Sequence, residues 1–181
     1  MTSKIVVING SPRKNGNTSR MIESFKTKAE EGGSSVMVFD VATATIGGCH
    51  ACETCFKSGK ACTYDDDFNA IAPDILDADG IVFACPTYWY SFPGQIKNVI
   101  DKMYSFCIGK KEIEGKKCGL ICCCEEDELD VMDGISKPLE RIAALLKWEV
   151  VGKVLVPSVL EEGAVEKTDG LNQAAVLAEK F

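Results

Sequence analysis

The sequence predicts an α/β fold of three layers: a five-stranded parallel sheet with helices on both faces. Two observations predict it. Apolar runs of strand length alternate about five times with stretches of helical spacing. The runs are rich in β-branched residues and lack polar alternation, as in strands buried on both faces. Such alternation implies right-handed crossovers between parallel strands. No internal repeat, low-complexity tract or linker divides the 181 residues, so residues 1–181 read as one domain.

The elements follow in order. Lys4 to Asn9 reads KIVVIN and predicts the first strand. Gly10 to Thr18 is a turn-rich loop. Ser19 to Glu31 carries Met21, Ile22 and Phe25 at helical spacing and stops at Gly32-Gly33. Ser35 to Asp40 is the second strand, and residues 41–64 form a cysteine-rich insertion. Asp65-Asp66-Asp67 opens a helix that its acids would cap, with Pro73 expected to end or kink it. Gly80 to Cys85 is the third strand, followed by an aromatic loop, Pro86 to Pro93, and a helix from Gly94 to Phe106. Lys117 to Cys123 is the fourth strand. A helix capped by Ser136 with Pro138 in its first turn runs to Leu146. Glu149 to Val156 is the fifth strand and Leu171 to Lys180 the last helix. In such sheets ligands bind beyond the carboxyl ends of the strands, where strand order switches. The loops after strands one, three and four therefore carry the functional expectation.

Composition excludes some classes. The formal net charge is -7, and no basic stripe is present that would neutralise a nucleic-acid backbone. The longest apolar runs are strand-length, so no membrane span is expected. Residues 1–4 show no signal-peptide pattern, which predicts a cytoplasmic protein. Ten cysteines in a reducing compartment point to metal or redox chemistry, or to buried thiols. Cys118 and Cys122 read as small buried strand residues, and the isolated Cys85 and Cys107 as small buried residues too.

The first loop has the character of an anion cradle. A helix starting at Asn17 or Thr18 presents free amides and a positive dipole end. Ser11, Asn15, Asn17, Thr18 and Ser19 are short polar residues around it, and Arg13 or Lys14 would add charge. Neither a Walker A loop nor a Gly-x-Gly-x-x-Gly fingerprint is present. A phosphatase loop would open on a nucleophilic cysteine, where Asn9, Gly10 and Ser11 stand. The third-strand loop places Tyr88, Trp89, Tyr90 and Phe92 together. Aromatics there suit the face of a flat heterocycle, or a hydrophobic patch covered by a partner subunit.

The cysteine loop reads Cys49-His50-Ala51-Cys52-Glu53-Thr54-Cys55, with Cys62 following. Two Cys-x-x-Cys steps and a nearby fourth thiol can wrap an iron–sulfur cubane. Structural zinc and free thiols are the alternatives. His50 is read as a loop residue.

Gly10-Ser11-Pro12-Arg13 with Gly16-Asn17-Thr18, then the cysteine loop ending at Asp65-Asp66-Asp67, then Pro86-Thr87-Tyr88-Trp89 with Pro93 and Lys97 occur in one order. In that order they resemble the NADPH-dependent FMN reductase and iron–sulfur flavoprotein superfamily over about residues 4–125. The resemblance implies a flavodoxin-like sheet of order 2-1-3-4-5 and bound FMN. It implies phosphate contacts from the first loop and ring contacts from Pro86, Thr87, Tyr88, Trp89 and Ser91. It further implies a 4Fe–4S cluster on Cys49, Cys52, Cys55 and Cys62, and NADPH or a redox partner protein as electron source. A homodimer or homotetramer with FMN near the interface is also implied. The sequence thus predicts a flavin-dependent oxidoreductase. Its rivals are a flavodoxin-type electron carrier and a flavin-free, zinc-structured module.

Overall fold

A computed structural model of the chain describes residues 2–181. Strand β1 (Lys4–Asn9) is buried from Ile5 onward, as its unbroken apolar run requires. It pairs in parallel with β2 (Ser35–Asp40) on one side and β3 (Gly80–Pro86) on the other. Beyond β3 lie β4 (Lys117–Cys123) and β5 (Glu149–Val156), also parallel, giving the order β2-β1-β3-β4-β5. The chain leaves β1 toward β2, then crosses back to β3 on the other side of β1. The switch point therefore lies between β1 and β3, at their carboxyl ends.

Helices cover both faces. On one face α1 (Asn17–Glu31) packs against α6 (Gly170–Ala178), burying Met21, Ile22 and Phe25 against Ile5, Val7, Val82 and Ile121. On the other, α2 (Phe68–Asp77), α3 (Gly94–Lys102), α4 (Tyr104–Ile108) and α5 (Asp133–Leu146) cover Val6, Ile8, Phe83 and Leu120. Phe25, Phe68, Phe83 and Phe106 are fully buried. Each such side chain contributes about 1.5–3 kcal/mol of hydrophobic burial.

The strands match the sequence reading closely, while the helices depart from it in three places. Pro73 does not end α2, which continues to Asp77. The proline forgoes one bond to the Asn69 carbonyl, but Ile71, Ala72 and Ile75 are buried, and their packing outweighs the lost bond. The predicted helix from Gly94 to Phe106 divides at Met103, whose amide is shared between Val99 (3.0 Å) and Ile100 (3.2 Å). That three-centre bond tightens the turn. Helix α5 starts at Asp133, earlier than predicted, after a 3₁₀ turn at Leu129–Met132. Ser136 is consequently interior and caps nothing; its Oγ accepts from Lys153 Nζ (2.8 Å). Among the cysteines, Cys85, Cys118 and Cys122 are buried as expected, but Cys107 is exposed on α4. The isolated position of Cys107 in the sequence carried no sign of which helix face it occupies.

Candidate functional site

The loop after β1 is folded by its own short side chains. The Gly10 amide donates to the Ala84 carbonyl (2.8 Å), which ties the loop to β3. The Ser11 amide donates to Asn9 Oδ1 (3.0 Å), and the Arg13 amide to Ser11 Oγ (3.3 Å). The Arg13 carbonyl accepts from the Gly16 amide (3.1 Å) and from Ser19 Oγ (2.9 Å), closing a tight turn. Gly16 is needed there, since a Cβ would sit 2.9 Å from Arg13 Cβ.

Helix α1 then begins with no side-chain cap. The amide of Arg20, bonded to Gly16 O (3.1 Å), is the first of α1 to reach a backbone acceptor among the described residues. The amides of Asn17, Thr18 and Ser19 are thus left for an anion.

Asn17 holds a different post from the one its side chain suggested. Its Nδ2 donates to Val159 O (3.0 Å) and Glu161 O (2.9 Å), and its Oδ1 accepts from the Val165 amide (3.2 Å). All its side-chain donors are engaged, so Asn17 offers the cradle its backbone amide while fixing the loop after β5. Thr18 Oγ1 lies 3.5 Å from Cys123 Sγ at the end of β4.

The loop after β3 is a strained turn. Tyr88 and Ser91 exchange two backbone hydrogen bonds of 3.0 Å, and the two residues between them, Trp89 (φ 46°) and Tyr90 (φ 62°), are both left-handed. Two-residue turns of this kind favour Asn and Gly. Aromatics in their place cost of order 1 kcal/mol each. Trp89 is 94% exposed. The Thr87 amide donates to Cys123 O (2.8 Å), fixing the turn to β4.

These loops enclose a cavity of about 630 Å³, within the range of about 300–1,000 Å³ usual for small-molecule sites. Ser11, Arg13, Asn17 and Thr18 from the first loop line it together with Pro86, Thr87, Tyr88 and Trp89 from the loop after β3. Of the residues predicted from sequence, Asn15, Ser19 and Ser91 do not line it: Ser19 and Ser91 hold the turns behind its walls. The Asn15 carbonyl accepts from Arg20 Nε (3.0 Å) at the exposed side of the loop. Sequence reasoning missed Val159 and Leu160, which line the cavity from the loop after β5. Strand order alone gave no reason to look there, and no single residue type marks them.

The floor and rim are formed by Cys123, Cys124, Glu125 and Glu126. Burial pushes the Cys123 thiol up to about 12. Burial, assisted by the Glu126 charge, pushes Cys124 up to about 11. Both are neutral thiols at physiological pH. Beneath them Cys85 and Cys122 are register partners on β3 and β4. A hydrogen bond from Cys85 lowers the Cys122 thiol, while burial raises Cys85.

The cysteine loop lies beside α2 and α3. Cys49 and Cys52 are exposed, Cys55 and Cys62 half-buried, and all ten cysteines of the chain are free. Ala51, Glu53 and Phe56 are left-handed, which lets the loop curl tightly. Thr54 Oγ1, 3.1 Å from Cys52 Sγ, holds that thiol below its ordinary range. Burial, above all, raises the Cys55 thiol, and the charges of Cys52, Cys62 and Cys49 add to the rise. Among the described residues no three Cys, His, Asp or Glu side chains converge at metal-ligating range. The donor set, four unbridged thiols on one curled loop, has the chemistry that iron–sulfur or zinc thiolate centres require. His50 stacks on Tyr64 at 4.3 Å. Asp66 and Asp67 do more than start α2: they accept from the loop amides of Gly47 (2.9 Å) and Thr45 (2.7 Å).

A five-stranded sheet in this order, with free helix amides and an aromatic turn flanking its switch point, defines an α/β protein of flavodoxin-like class. The chain belongs to the NADPH-dependent FMN reductase family, whose sequence profile matches residues 3–129. An iron–sulfur flavoprotein of Archaeoglobus fulgidus is 31% identical over 154 residues, covering 85% of this chain and 65% of that protein. One from Methanosarcina thermophila is 33% identical over 99 residues, covering 55% of this chain and 51% of that one. The chain thus spans between half and two thirds of the length of these relatives. Among solved structures, an NAD(P)H:quinone oxidoreductase from Methanothermobacter marburgensis superposes with a TM-score of 0.76 at 14% identity, covering 98% of this chain and 95% of that one. An FMN-dependent NADH-azoreductase from Bacillus anthracis, in complex with FMN, gives 0.74 at 15% identity, covering 99% of each chain. At such identities the likeness is one of fold. No helix among the described residues is long and apolar enough to cross a membrane.

Proposed function

We propose that this chain is an FMN-dependent oxidoreductase built as a single domain, residues 1–181, with a cysteine-rich insertion at 41–64. The observation that carries the reading is the cavity at the switch point, lined by Asn17 and Thr18, whose helix amides are unpartnered, and by a strained aromatic turn. A phosphate suits the amides of Asn17 and Thr18 together with Ser11 and Arg13. A flat heterocycle suits Pro86, Thr87, Tyr88 and Trp89 over the Cys123–Cys124 floor. FMN carries both groups, and when bound it supplies hydride and electron transfer. The protein residues bind its phosphate, orient its ring and set the local charge through Glu125 and Glu126. Asn15, Ser19 and Ser91 contribute by holding the two turns in shape.

NADPH or NADH as donor, and a 4Fe–4S cluster on Cys49, Cys52, Cys55 and Cys62 as a one-electron relay, complete the reading. The free thiol set and the names of the curated relatives support the cluster. Ten unbridged thiols suit a cytoplasmic protein. The exposed aromatic tip at Trp89 supports a homodimer or homotetramer in which a second copy covers it.

The test is anaerobic purification with flavin, iron and sulfide analysis, followed by titration with NADPH and NADH. Bound or reconstituted FMN that bleaches on donor addition is expected. A protein that carries no flavin and takes up none overturns the reading. A flavin that never bleaches with either nucleotide limits it to electron transfer from a protein partner.

A further inference from the structure

The four cysteines of the insertion are not held alike. Cys62 alone is fixed by the fold at both ends of the residue. Asn69 of α2 clamps its peptide: Oδ1 accepts from the Cys62 amide (2.7 Å) and Nδ2 donates to the Cys62 carbonyl (3.1 Å). Its sulfur meets an ammonium, Lys102 Nζ, at 3.6 Å.

Lys102, the last residue of α3, is only 3% exposed. A lysine is almost never so buried without a partner. Its partner is Asp66, with which it forms a tight ion pair. The Asp66 carboxylate is satisfied beyond that pair. Its Oδ2 also accepts from the Gly47 amide (2.9 Å), and its Oδ1 from the Phe68 amide (3.2 Å). The pair is therefore an oriented dipole, with the carboxylate turned to backbone amides and the ammonium turned to sulfur. Buried ion pairs can often be replaced by apolar residues of similar volume without loss of stability. A cluster held by four thiolates carries net negative charge in a half-buried setting. Its reduction potential depends on net charge and on hydrogen bonds to sulfur.

Resting on the cluster reading above, we propose that Lys102 is a positioning residue for the iron–sulfur centre: held by Asp66, its ammonium donates to Cys62 Sγ, anchors that ligand and raises the centre's potential. Helix α3 gives the arrangement a second consequence. The helix begins directly after the aromatic turn and Pro93, and its Asn98 Nδ2 donates to Ile46 O (2.8 Å) at the entry of the cysteine loop. One rigid element thus positions both the flavin wall and the anchored cysteine.

The test is an EPR-monitored redox titration of the full chain, with iron and sulfide content, for wild type, Lys102→Met, Lys102→Arg and Asp66→Asn. Removing the ammonium leaves the carboxylate charge beside the centre, so Lys102→Met moves the potential to more negative values or loses iron and sulfide with FMN content retained. Removing the carboxylate charge leaves the ammonium, so Asp66→Asn moves the potential the opposite way. Lys102→Arg restores most of the wild-type value. Shifts of opposite sign carry the assignment even where one variant folds poorly. If both variants keep the wild-type potential and iron content while melting earlier, the pair is structural only and the assignment falls. If wild-type protein takes up no iron and sulfide under reconstitution, the cluster reading itself falls, and the assignment with it.

Discussion

Gly134, in the first turn of α5, lies directly beneath the Tyr90 carbonyl oxygen: a Cβ built on Gly134 would fall deep inside van der Waals contact with that oxygen. The aromatic turn is therefore seated on the start of α5 as well as tied to β4 through Thr87. Ser91 Oγ, 3.4 Å from the Gly134 carbonyl, adds to the seating. Gly134→Ala must displace the backbone of the turn or of α5. The expected result is a stability loss of about 1–3 kcal/mol, read in a denaturant titration. FMN affinity should fall about tenfold or more, because a misplaced wall loses the equivalent of one good contact. An alanine variant with unchanged affinity would show that the turn has slack.

The left-handed pair at Trp89 and Tyr90 stores strain that glycine would relieve. Tyr90→Gly should raise stability by about 1 kcal/mol, measured by thermal or chemical melting. The same variant should weaken flavin binding, since Tyr90 lines the cavity and its backbone rides on Gly134. A gain in stability together with a loss of affinity is the signature of strain kept for binding. A variant that gains stability and keeps affinity would mean the aromatics serve subunit contact alone.

The backbone frame was legible because its signal is local. Strand-length apolar runs such as KIVVIN and LICC tolerate only burial, and alternation with helices left one topology class. The anion cradle was legible because Gly16 and the residues around it encode a helix start. Other features depend on contacts that sequence spacing does not encode. Nothing local distinguishes Asn17 as a clamp for the loop after β5 from Asn17 as a phosphate donor. Val159 and Leu160 line the cavity from a loop that this clamp ties to α1. Pro73 remains inside α2 because tertiary burial of Ile71 and Ile75 overrides a local rule. Lys102 reads as an ordinary helix-terminal lysine until Asp66 and Cys62, distant in sequence, are brought to it.

Arg13 and Asn17 should separate cleanly by mutation. Arg13→Gln removes a charge that lines the cavity and leaves the backbone amides in place. It should weaken FMN several-fold or more and leave riboflavin, which has no phosphate, unchanged; paired fluorescence-quenching titrations read the difference. Asn17→Ala deletes three hydrogen bonds to the 159–165 loop, two of them buried. Its main effect should be on stability, about 1–3 kcal/mol. Equal losses of FMN and riboflavin affinity in Arg13→Gln would place the phosphate elsewhere.

The buried thiols of β4 and of Cys124 just beyond it make stability depend on alkaline pH. Burial pushes Cys118 and Cys123 up to about 12 and Cys124 up to about 11. In the unfolded chain the same thiols titrate near their ordinary value of about 8.5. The folded state therefore holds protons that the unfolded state releases. Their contribution is fully present below the unfolded value and is lost as pH rises toward the folded values. Denaturant midpoints should consequently fall between about pH 9 and pH 11, a window set by those two states. Cys118, remote from the cavity lining, is the cleanest probe. Cys118→Ala removes one titrating thiol, so its stability should decline less steeply across that window than wild type, whatever fixed loss the smaller side chain brings at pH 7. Parallel curves for the two proteins would mean that Cys118 ionises in the folded state about as readily as in the unfolded one, and that burial on β4 does not hold its proton.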